Sequence, residues 1–390
     1  MKLANRMSRL GTETAFEVLV RARGLEAQGR DIVHLEVGEP DFDTPANIIE
    51  AGCEALRTGW THYGPAAGIP DLRDAIADYL NRSRGTSYSL ENIVVTPGGK
   101  PIMFFVILAL LEAGDEAIYP NPGFPIYESM INFTGATPVA APILENKAFA
   151  LDVDELPSLI TDRTKLLIIN SPANPTGGVL NREEIARVAE LAVEHNLTVL
   201  ADEIYSEILY EGEHVSIATM PGMAERTIIL DGFSKTYAMT GWRLGYGAMP
   251  QEFAEVISKL MVNSNSCTSM AVQRAGLEAL TGPQDEVRAM LTAFRSRREL
   301  IVDGLNAIDG ITCLKPRGAF YVFPNISAMG MKSKPFADML LQDHGVAALS
   351  GTAFGAHGEG YLRLSCANSE ENISKALDRL AAASEQARST

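Results

Sequence analysis

Residues 229–246 read ILDGFSKTYAMTGWRLGY. Aliphatic residues open this segment as a buried strand, and Lys235 follows the strand among small and hydroxyl-bearing residues. A lysine that is shielded from water and lies near another cation has a lowered pKa, and it becomes a nucleophile that forms imines. On its own, a lysine after a strand is usually a surface residue. Ser234 beside it and Arg243 further along suit a phosphate group, so the segment indicates a reactive amine next to a phosphate site.

The composition places the chain among globular proteins with two domains. The 390 residues are 46% hydrophobic and 21% charged, and a chain of this length is too long for one hydrophobic core. The formal net charge of −16 repels nucleic acid and anionic membranes. We find no apolar run of bilayer length and no secretory signal in residues 1–10, so we expect a cytoplasmic protein without membrane or nucleic-acid partners. Scattered cysteines and histidines disfavour a metal site.

Short apolar runs alternate with amphipathic stretches as far as residue 282, a pattern typical of an α/β fold. Strands that alternate with helices imply a largely parallel sheet with helices on both faces. The predicted strands are Ile93–Thr96, Glu116–Tyr119, Leu166–Asn170, Thr198–Ala201, Ile228–Leu230 and Leu244–Ala248. The predicted helices between them include Ile102–Leu111, Arg182–His195 and Glu252–Val262.

The C-terminal part has a different pattern, which predicts a smaller α+β unit. Its predicted helices are Gln284–Ala307, Pro335–His344 and Glu370–Ala387, and its predicted strands are Ala319–Phe323, Val346–Leu349 and Tyr361–Leu364. The breaker pair Gly282-Pro283 marks the start of this unit. We therefore expect an N-terminal arm with part of the small domain over 1–45, a large domain over 46–282 and a small domain over 283–390.

Three further motifs contain candidate catalytic or anion-binding residues. Asp202, in Ala-Asp-Glu-Ile-Tyr, ends an aliphatic strand, a place where a helix N-cap is also common. The run Thr-Pro-Gly-Gly-Lys at 96–100 closes a strand and opens a helix, whose bare amides favour an anion. Arg363 interrupts the apolar run YLRLS, either as an edge charge or as a planar fork for a carboxylate.

Together and in this order, these motifs resemble those of the class I and II, fold-type I aminotransferases, which use pyridoxal 5'-phosphate. The similarity is to the bacterial aspartate-aminotransferase-like subgroup, and it runs from LEVGEPDF at 35–42 to YLRLS at 361–365. The resemblance implies a large domain with a mainly parallel seven-stranded sheet flanked by helices, plus a smaller α+β domain. It also implies a homodimer with shared active sites.

The resemblance assigns a role to each matching residue. Lys235 would hold the cofactor as a Schiff base, Asp202 would keep the pyridine nitrogen protonated, and Tyr205 would bond the phenolic oxygen. The other implied cofactor residues are Gly99 and Lys100 through backbone amides, Phe124 by stacking, Asn174 at the phenolic oxygen, Ser234 and Arg243 at the phosphate, and Tyr63 at the phosphate of the neighbouring subunit. The implied substrate residues are Arg363 and Gly38 at the α-carboxylate, together with Asn174.

The substrate side chain is the open question, and it depends on Lys100 and Glu13. In the aspartate-aminotransferase-like subgroup, a lysine at the position of Lys100 can bind the side-chain carboxylate of the substrate, which favours aspartate, glutamate and their oxo acids. An approximate alignment places Glu13 over the same part of the substrate. If Glu13 neutralises Lys100, neutral, aromatic or basic amino acids are favoured instead.

The expected reaction is ping-pong transamination, in which the freed Lys235 amine moves a proton from Cα to C4′. The same residues also serve lyases that act at Cβ or Cγ and pyridoxal-phosphate-dependent oxidases. A third alternative is the non-catalytic domain found in some DNA-binding regulators. That alternative is disfavoured because no basic helix-turn-helix precedes the motifs in this sequence.

Overall fold

The structure, a computed structural model, describes residues 1–389. Its strands are β1 Val33–His34, β2 Ile93–Thr96, β3 Glu116–Asn121, β4 Thr137–Pro142, β5 Thr164–Asn170, β6 Thr198–Asp202, β7 Thr227–Gly232, β8 Gly245–Ala248, β9 Tyr321–Val322, β10 Val346–Ala347, β11 Leu349–Ser350 and β12 Leu362–Ser365. Its α-helices are α1 Thr14–Glu26, α2 Ala46–Arg57, α3 Pro70–Arg84, α4 Lys100–Leu110, α5 Ile126–Thr134, α6 Leu156–Leu159, α7 Arg182–Glu194, α8 Gln251–Ser264, α9 Met270–Thr281, α10 Asp285–Asn306, α11 Ser333–His344 and α12 Glu370–Ser389. Within residues 1–389, none of these helices is long and apolar enough to cross a membrane.

The main sheet has seven strands in the order β2-β8-β7-β6-β5-β3-β4. Neighbouring strands are parallel except at β8, which is antiparallel to both β2 and β7. Side chains of β5 alternate between the faces: Leu167 and Ile169 join the core that includes α7, and Leu166 and Ile168 join the core that includes α4. Both faces are therefore covered by helices, and the predicted α/β fold with a mainly parallel seven-stranded sheet is confirmed.

All six strands predicted for this sheet are present, with ends within two residues of the prediction. The seventh, β4, was not predicted. It lies at the edge of the sheet, contains Pro138 and Pro142, and is mostly half-buried. Prolines are tolerated at an edge because no further strand needs their missing N–H groups. Such a strand lacks the continuous aliphatic run by which the central strands are recognised.

The short strands form two smaller sheets. β1 pairs in parallel with β10, and β11, β12 and β9 form an antiparallel sheet. Aromatic and aliphatic side chains of α10, α11 and α12 pack on these strands, which confirms the predicted smaller α+β unit. Two strand predictions were partly wrong. The run 346–349 forms two strands with different partners, and of the run 319–323 only β9 is a strand; Ala319, with a φ of 56°, is not extended. The domain boundaries at 45 and 282 stay predictions.

The carboxyl ends of the parallel strands gather the predicted site residues at one edge of the sheet. Asn170, Asp202 and Gly232 are the last residues of β5, β6 and β7. Lys235 follows β7 within one turn, and α4 begins shortly after β2. In open α/β sheets, ligands bind in the crevice outside this edge.

Candidate active site

A cavity of about 550 Å³ lies at this edge, within the range of roughly 300–1,000 Å³ typical of small-molecule sites. The predicted site residues that line it are Glu13, Gly38, Gly99, Lys100, Phe124, Asn174, Asp202, Tyr205, Ser234, Lys235, Arg243 and Arg363. Tyr63 is the predicted residue that does not line it, and its side chain is 88% exposed. The fold thus brings together twelve of the thirteen predicted residues in one cavity.

Lys235 points its amine into the cavity, where Nζ donates a hydrogen bond to the carbonyl oxygen of Gly38. Burial lowers the pKa of this amine to about 8. The cations Arg363 and Arg243 lower the pKa as well, while Glu39 opposes them. A larger fraction of the amine is therefore neutral near pH 7 than for an ordinary lysine. This is the state required of a nucleophile or a general base.

Asp202 also lines the cavity and is 8% exposed. Tyr127 donates a hydrogen bond from Oη to Oδ2 of Asp202 at 2.5 Å, and the backbone N–H of Ile204 donates to Oδ1 at 3.3 Å. Burial raises the pKa of Asp202 to about 6, and the two hydrogen bonds oppose that rise. A buried carboxylate is stabilised by a cationic N–H donor, so this position fits the protonated nitrogen of a pyridine ring.

Tyr127 is expected to tune Asp202. Tyr127→Phe removes a hydrogen bond to a charged acceptor, so the pKa of Asp202 should rise further and kcat/KM should fall about tenfold. The acidic limb of the pH–rate profile should also move to higher pH. Tyr88→Phe is the matched control, because the buried Tyr88 hydroxyl has no hydrogen-bond partner within residues 1–389. Equal effects of the two substitutions would show that the Tyr127 hydroxyl has no special role.

Polar groups with unmet hydrogen-bonding capacity line another part of the cavity. Asn174 donates its backbone N–H to Oδ1 of Asn170 at 2.8 Å, while its own buried side-chain oxygen has no partner within residues 1–389. The hydroxyls of Tyr205 and Tyr321 lie 2.7 Å apart. A buried polar atom without a partner is costly unless a ligand group bonds it. This part of the cavity is therefore suited to a polar ligand.

An anion site lies where β2 leads into α4. Gly98 has a φ of 87°, and a Cβ atom there would lie 2.3 Å from Nη2 of Arg243, so only glycine allows this approach. Arg243 is held by a hydrogen bond of 2.7 Å from Nη1 to the carbonyl oxygen of Thr240. A guanidinium group, the N-terminus of α4 and the Ser234 hydroxyl all border the cavity, a combination that suits a phosphate.

Arg363 provides a second anion site. Its side chain is 3% exposed, and the guanidinium carbon lies 4.6 Å from the ring centre of Tyr321 and 5.2 Å from that of Phe354. Nη2 donates to the backbone oxygen of Glu36, and Nε has no partner within residues 1–389. A Cβ atom at Gly38 would lie 2.1 Å from the Tyr321 hydroxyl, so the backbone approaches closely here. The arrangement leaves a planar guanidinium group available for a carboxylate.

Glu13 and Lys100 are in direct contact. The sequence had left open whether Glu13 neutralises Lys100. Nζ of Lys100 forms an ion pair with Oε1 of Glu13, just before α1 begins. The same Nζ lies 5.5 Å from the ring centre of Phe124. The side chain of Glu13 is 16% exposed and that of Lys100 is 48% exposed. Lys100 is therefore the partner with more freedom to move into solvent.

Four residues at the site were not predicted from the sequence: Tyr321, Glu39 and Thr240, which line the cavity, and Tyr127, which donates to Asp202. Tyr127 contacts Asp202 from α5, which is far away in the sequence. Its only local signal was its position three residues after Phe124, which places both on one face of a helical turn. Tyr321 was predicted only as part of a strand, and no motif marks its hydroxyl.

Known proteins resemble the chain over nearly its whole length. The sequence model of the family described as aminotransferase class I and II matches residues 30–380. The chain is 42% identical to the aspartate aminotransferase of Pyrococcus abyssi, over 90% of this chain and 91% of that protein. It is 38% identical to aromatic-amino-acid aminotransferase 2 of Thermococcus litoralis, over 97% of each. The solved structure of aspartate aminotransferase from Thermus thermophilus with maleate has a TM-score of 0.94 and 40% identity, and covers 98% of this chain and 100% of that chain.

Proposed function

Because this chain belongs to the class I and II aminotransferases, a family of pyridoxal-phosphate-dependent transaminases, we propose that it acts on acidic L-amino acids. Aspartate or glutamate would give its amino group to 2-oxoglutarate or oxaloacetate in a ping-pong reaction. The observation that carries this proposal is Lys100, a cation on the cavity wall in addition to Arg363 and to the two cations proposed to serve the cofactor, Lys235 and Arg243. Lys100 and Arg363 would each bind one carboxylate of the substrate. The similarity to aspartate aminotransferases supports the same substrate class.

The cavity fits pyridoxal 5'-phosphate on the observations above. When bound, this cofactor supplies an electron sink for the electrons released at the substrate α-carbon. Ser234, Arg243 and the N-terminus of α4 would hold its phosphate. Asp202 would bond the protonated ring nitrogen, and the side-chain amide N–H of Asn174 and the hydroxyl of Tyr205 would donate to the phenolic oxygen. Gly99 and Lys100 would contribute backbone N–H groups, and Phe124 would pack on the ring.

Arg363 would bind the substrate, and Lys235 would transfer the proton during the reaction. Arg363 binds the α-carboxylate and thereby orients the Cα–H bond, with the backbone at Gly38 closing on the same group. The Lys235 amine would accept the proton from the substrate Cα and would be the group that returns it on the cofactor side. Its lowered pKa keeps part of this amine unprotonated at neutral pH, as a base requires. A 2-oxo acid then takes the amino group by the reverse path.

A second candidate substrate class is favoured by the ion pair between Glu13 and Lys100. While this pair persists, the charge of Lys100 is not free for a substrate carboxylate, and Glu13 is available as a partner for a basic side chain once Lys100 moves away. Because the Lys100 side chain is exposed, it can move into solvent, and Glu13 can then pair with the basic side chain of the substrate. The chain is 42% identical to a relative named as an aspartate aminotransferase and 38% identical to one named as an aromatic-amino-acid aminotransferase, so overall identity does not single out acidic substrates.

Glu13→Gln distinguishes the two candidates when kcat/KM is measured for aspartate, arginine, phenylalanine and alanine with 2-oxoglutarate. If aspartate is the substrate, removing the competing carboxylate frees Lys100, and kcat/KM for aspartate should rise by up to about fivefold, as for a partly exposed ion pair. Alanine is the internal control, because its side chain reaches neither residue. A loss of activity toward arginine in this variant, with no gain for aspartate, would favour the basic class. Turnover without any 2-oxo acid would point to a lyase or an oxidase.

The proposed assembly is a homodimer in which Tyr63 of each subunit reaches the phosphate site of the other. The support in this chain is the exposure of the Tyr63 side chain, 88%, and its position outside the cavity of its own chain. An aromatic side chain left this open to solvent is suited to burial in a subunit interface. Residence in the cytoplasm likewise stays a prediction.

A further inference from the structure

Arg363 contacts the backbone of a residue whose side-chain carboxylate is buried. Glu36 is 0% exposed, and its backbone oxygen accepts the hydrogen bond from Nη2 of Arg363. Oε1 of Glu36 lies 2.7 Å from Nδ1 of His34, while Oε2 has no hydrogen-bond partner within residues 1–389. Nε2 of His34 lies 3.1 Å from Oε1 of Glu26, at the end of α1. Three residues thus connect the solvent-exposed end of α1 to the proposed α-carboxylate site.

This arrangement creates an electrostatic problem for substrate binding. A bare buried anion next to Arg363 attracts the same guanidinium group as the α-carboxylate does, and charges interact strongly where water is excluded. Burial lowers the pKa of Arg363, and the Glu36 charge opposes that lowering. A compensating cation beside Glu36 removes this competition. His34 is the group placed to supply that cation.

We propose that His34 is a positioning residue for α-carboxylate binding: as an imidazolium ion it neutralises Glu36, and so leaves the charge of Arg363 available to the substrate. The inference rests on the proposed role of Arg363. It adds two residues, His34 and Glu36, that touch neither the cofactor nor the substrate. Because every amino acid and 2-oxo acid has an α-carboxylate, the effect should be the same for all substrates.

The surroundings of His34 favour its charged form. The titratable groups that face it are Glu36 from the following segment and Glu26 from α1. Toward β10 its strand partner is Ala347, and the side-chain amide of Asn368 donates to its backbone oxygen. The nearby cations of α12, Lys375 and Arg379, are paired with Asp31. The hydrogen bond to Glu36 raises the pKa of His34 to about 9, although burial opposes the rise. His34 therefore carries its proton at neutral pH and loses it as the pH rises through about 9.

The test compares wild-type holoenzyme with His34→Gln, Glu36→Gln and the double variant in steady-state transamination of L-alanine with saturating 2-oxoglutarate. His34→Gln should raise KM about tenfold with little change in kcat, because a buried charge is left uncompensated beside Arg363. Glu36→Gln should not raise KM, and the double variant should return KM to near the wild-type value. The ratio of KM in His34→Gln to KM in wild type should fall toward one between pH 8 and 10, since the wild type loses the same cation there.

A purely structural role of His34 predicts a different pattern. In that case the double variant is no better than His34→Gln, and this result, or an unchanged KM in His34→Gln, would overturn the inference. Calorimetric titration of the same four proteins with maleate gives a second readout that needs no turnover, and its Kd should follow the KM for alanine. If maleate does not bind the wild type while the alanine pattern holds, the acidic substrate class fails and the role of His34 stands.

Discussion

Lys235→Ala should lower kcat by at least about 10⁴-fold, since the variant loses both the nucleophile and the group that moves the proton. The substitution should also abolish the absorbance that arises when the cofactor is joined to the protein through this amine. The structure supports the size of the effect, because Lys235 is the lysine whose pKa is lowered inside the cavity and Lys100 is engaged with Glu13. Transamination rates and an absorbance spectrum of the purified protein measure both effects.

The matched control for this loss is Lys259→Ala. Lys259 is an exposed lysine of α8, outside the cavity, so its removal should change neither rate nor spectrum. The melting temperatures of the two variants show whether either substitution disturbs folding. Retention of more than about one percent of the wild-type rate in Lys235→Ala would contradict the assignment of Lys235 as nucleophile and base.

Asp202→Asn should lower kcat/KM by about a thousandfold, because a neutral amide does not hold the ring nitrogen in its protonated form. The loss should appear for every amino acid tested, since the ring nitrogen serves each reaction equally. This effect should greatly exceed that of Tyr127→Phe, which leaves the carboxylate in place. Equal losses in the two variants would show that Asp202 acts only through its hydrogen-bond network.

The stability of Asp202→Asn separates catalysis from folding. The pKa of Asp202 is raised from 3.8 to about 6, so the folded state holds its proton more tightly than the unfolded state does. Ionisation of Asp202 therefore costs stability as the pH rises from about 4 through 6, and the cost is fully present at pH 7. Asparagine removes this cost, and its one side-chain oxygen keeps the shorter hydrogen bond, from Tyr127, while the 3.3 Å bond from the Ile204 N–H is lost. The cofactor-free variant should melt at or above the wild-type temperature at pH 7, and a lower temperature would contradict this reasoning.

Local sequence patterns determined most of the fold and those residues of the candidate site that lie at or just after strand ends. The central strands were predictable because a strand buried on both faces needs a continuous aliphatic run, as in β5 and β6. Lys235, Asp202 and the turn at Gly98 were found because each lies at or just after a strand end, where the chain itself marks the site. The edge strand β4 was missed because half-exposed edges impose no such pattern.

Only the tertiary structure decided which charged and polar side chains meet. Tyr127 and Asp202 are 75 residues apart in the chain, and Glu13 and Lys100 are 87 apart. The contact between the backbone of Glu36 and Arg363 joins positions 327 residues apart. Such contacts depend on the order of strands and the packing of α1 and α5, which no local periodicity encodes. The sequence by itself therefore determined the family, the reactive lysine and the strand-end residues, while the state of each charge in the cavity was decided by neighbours that only folding brings together.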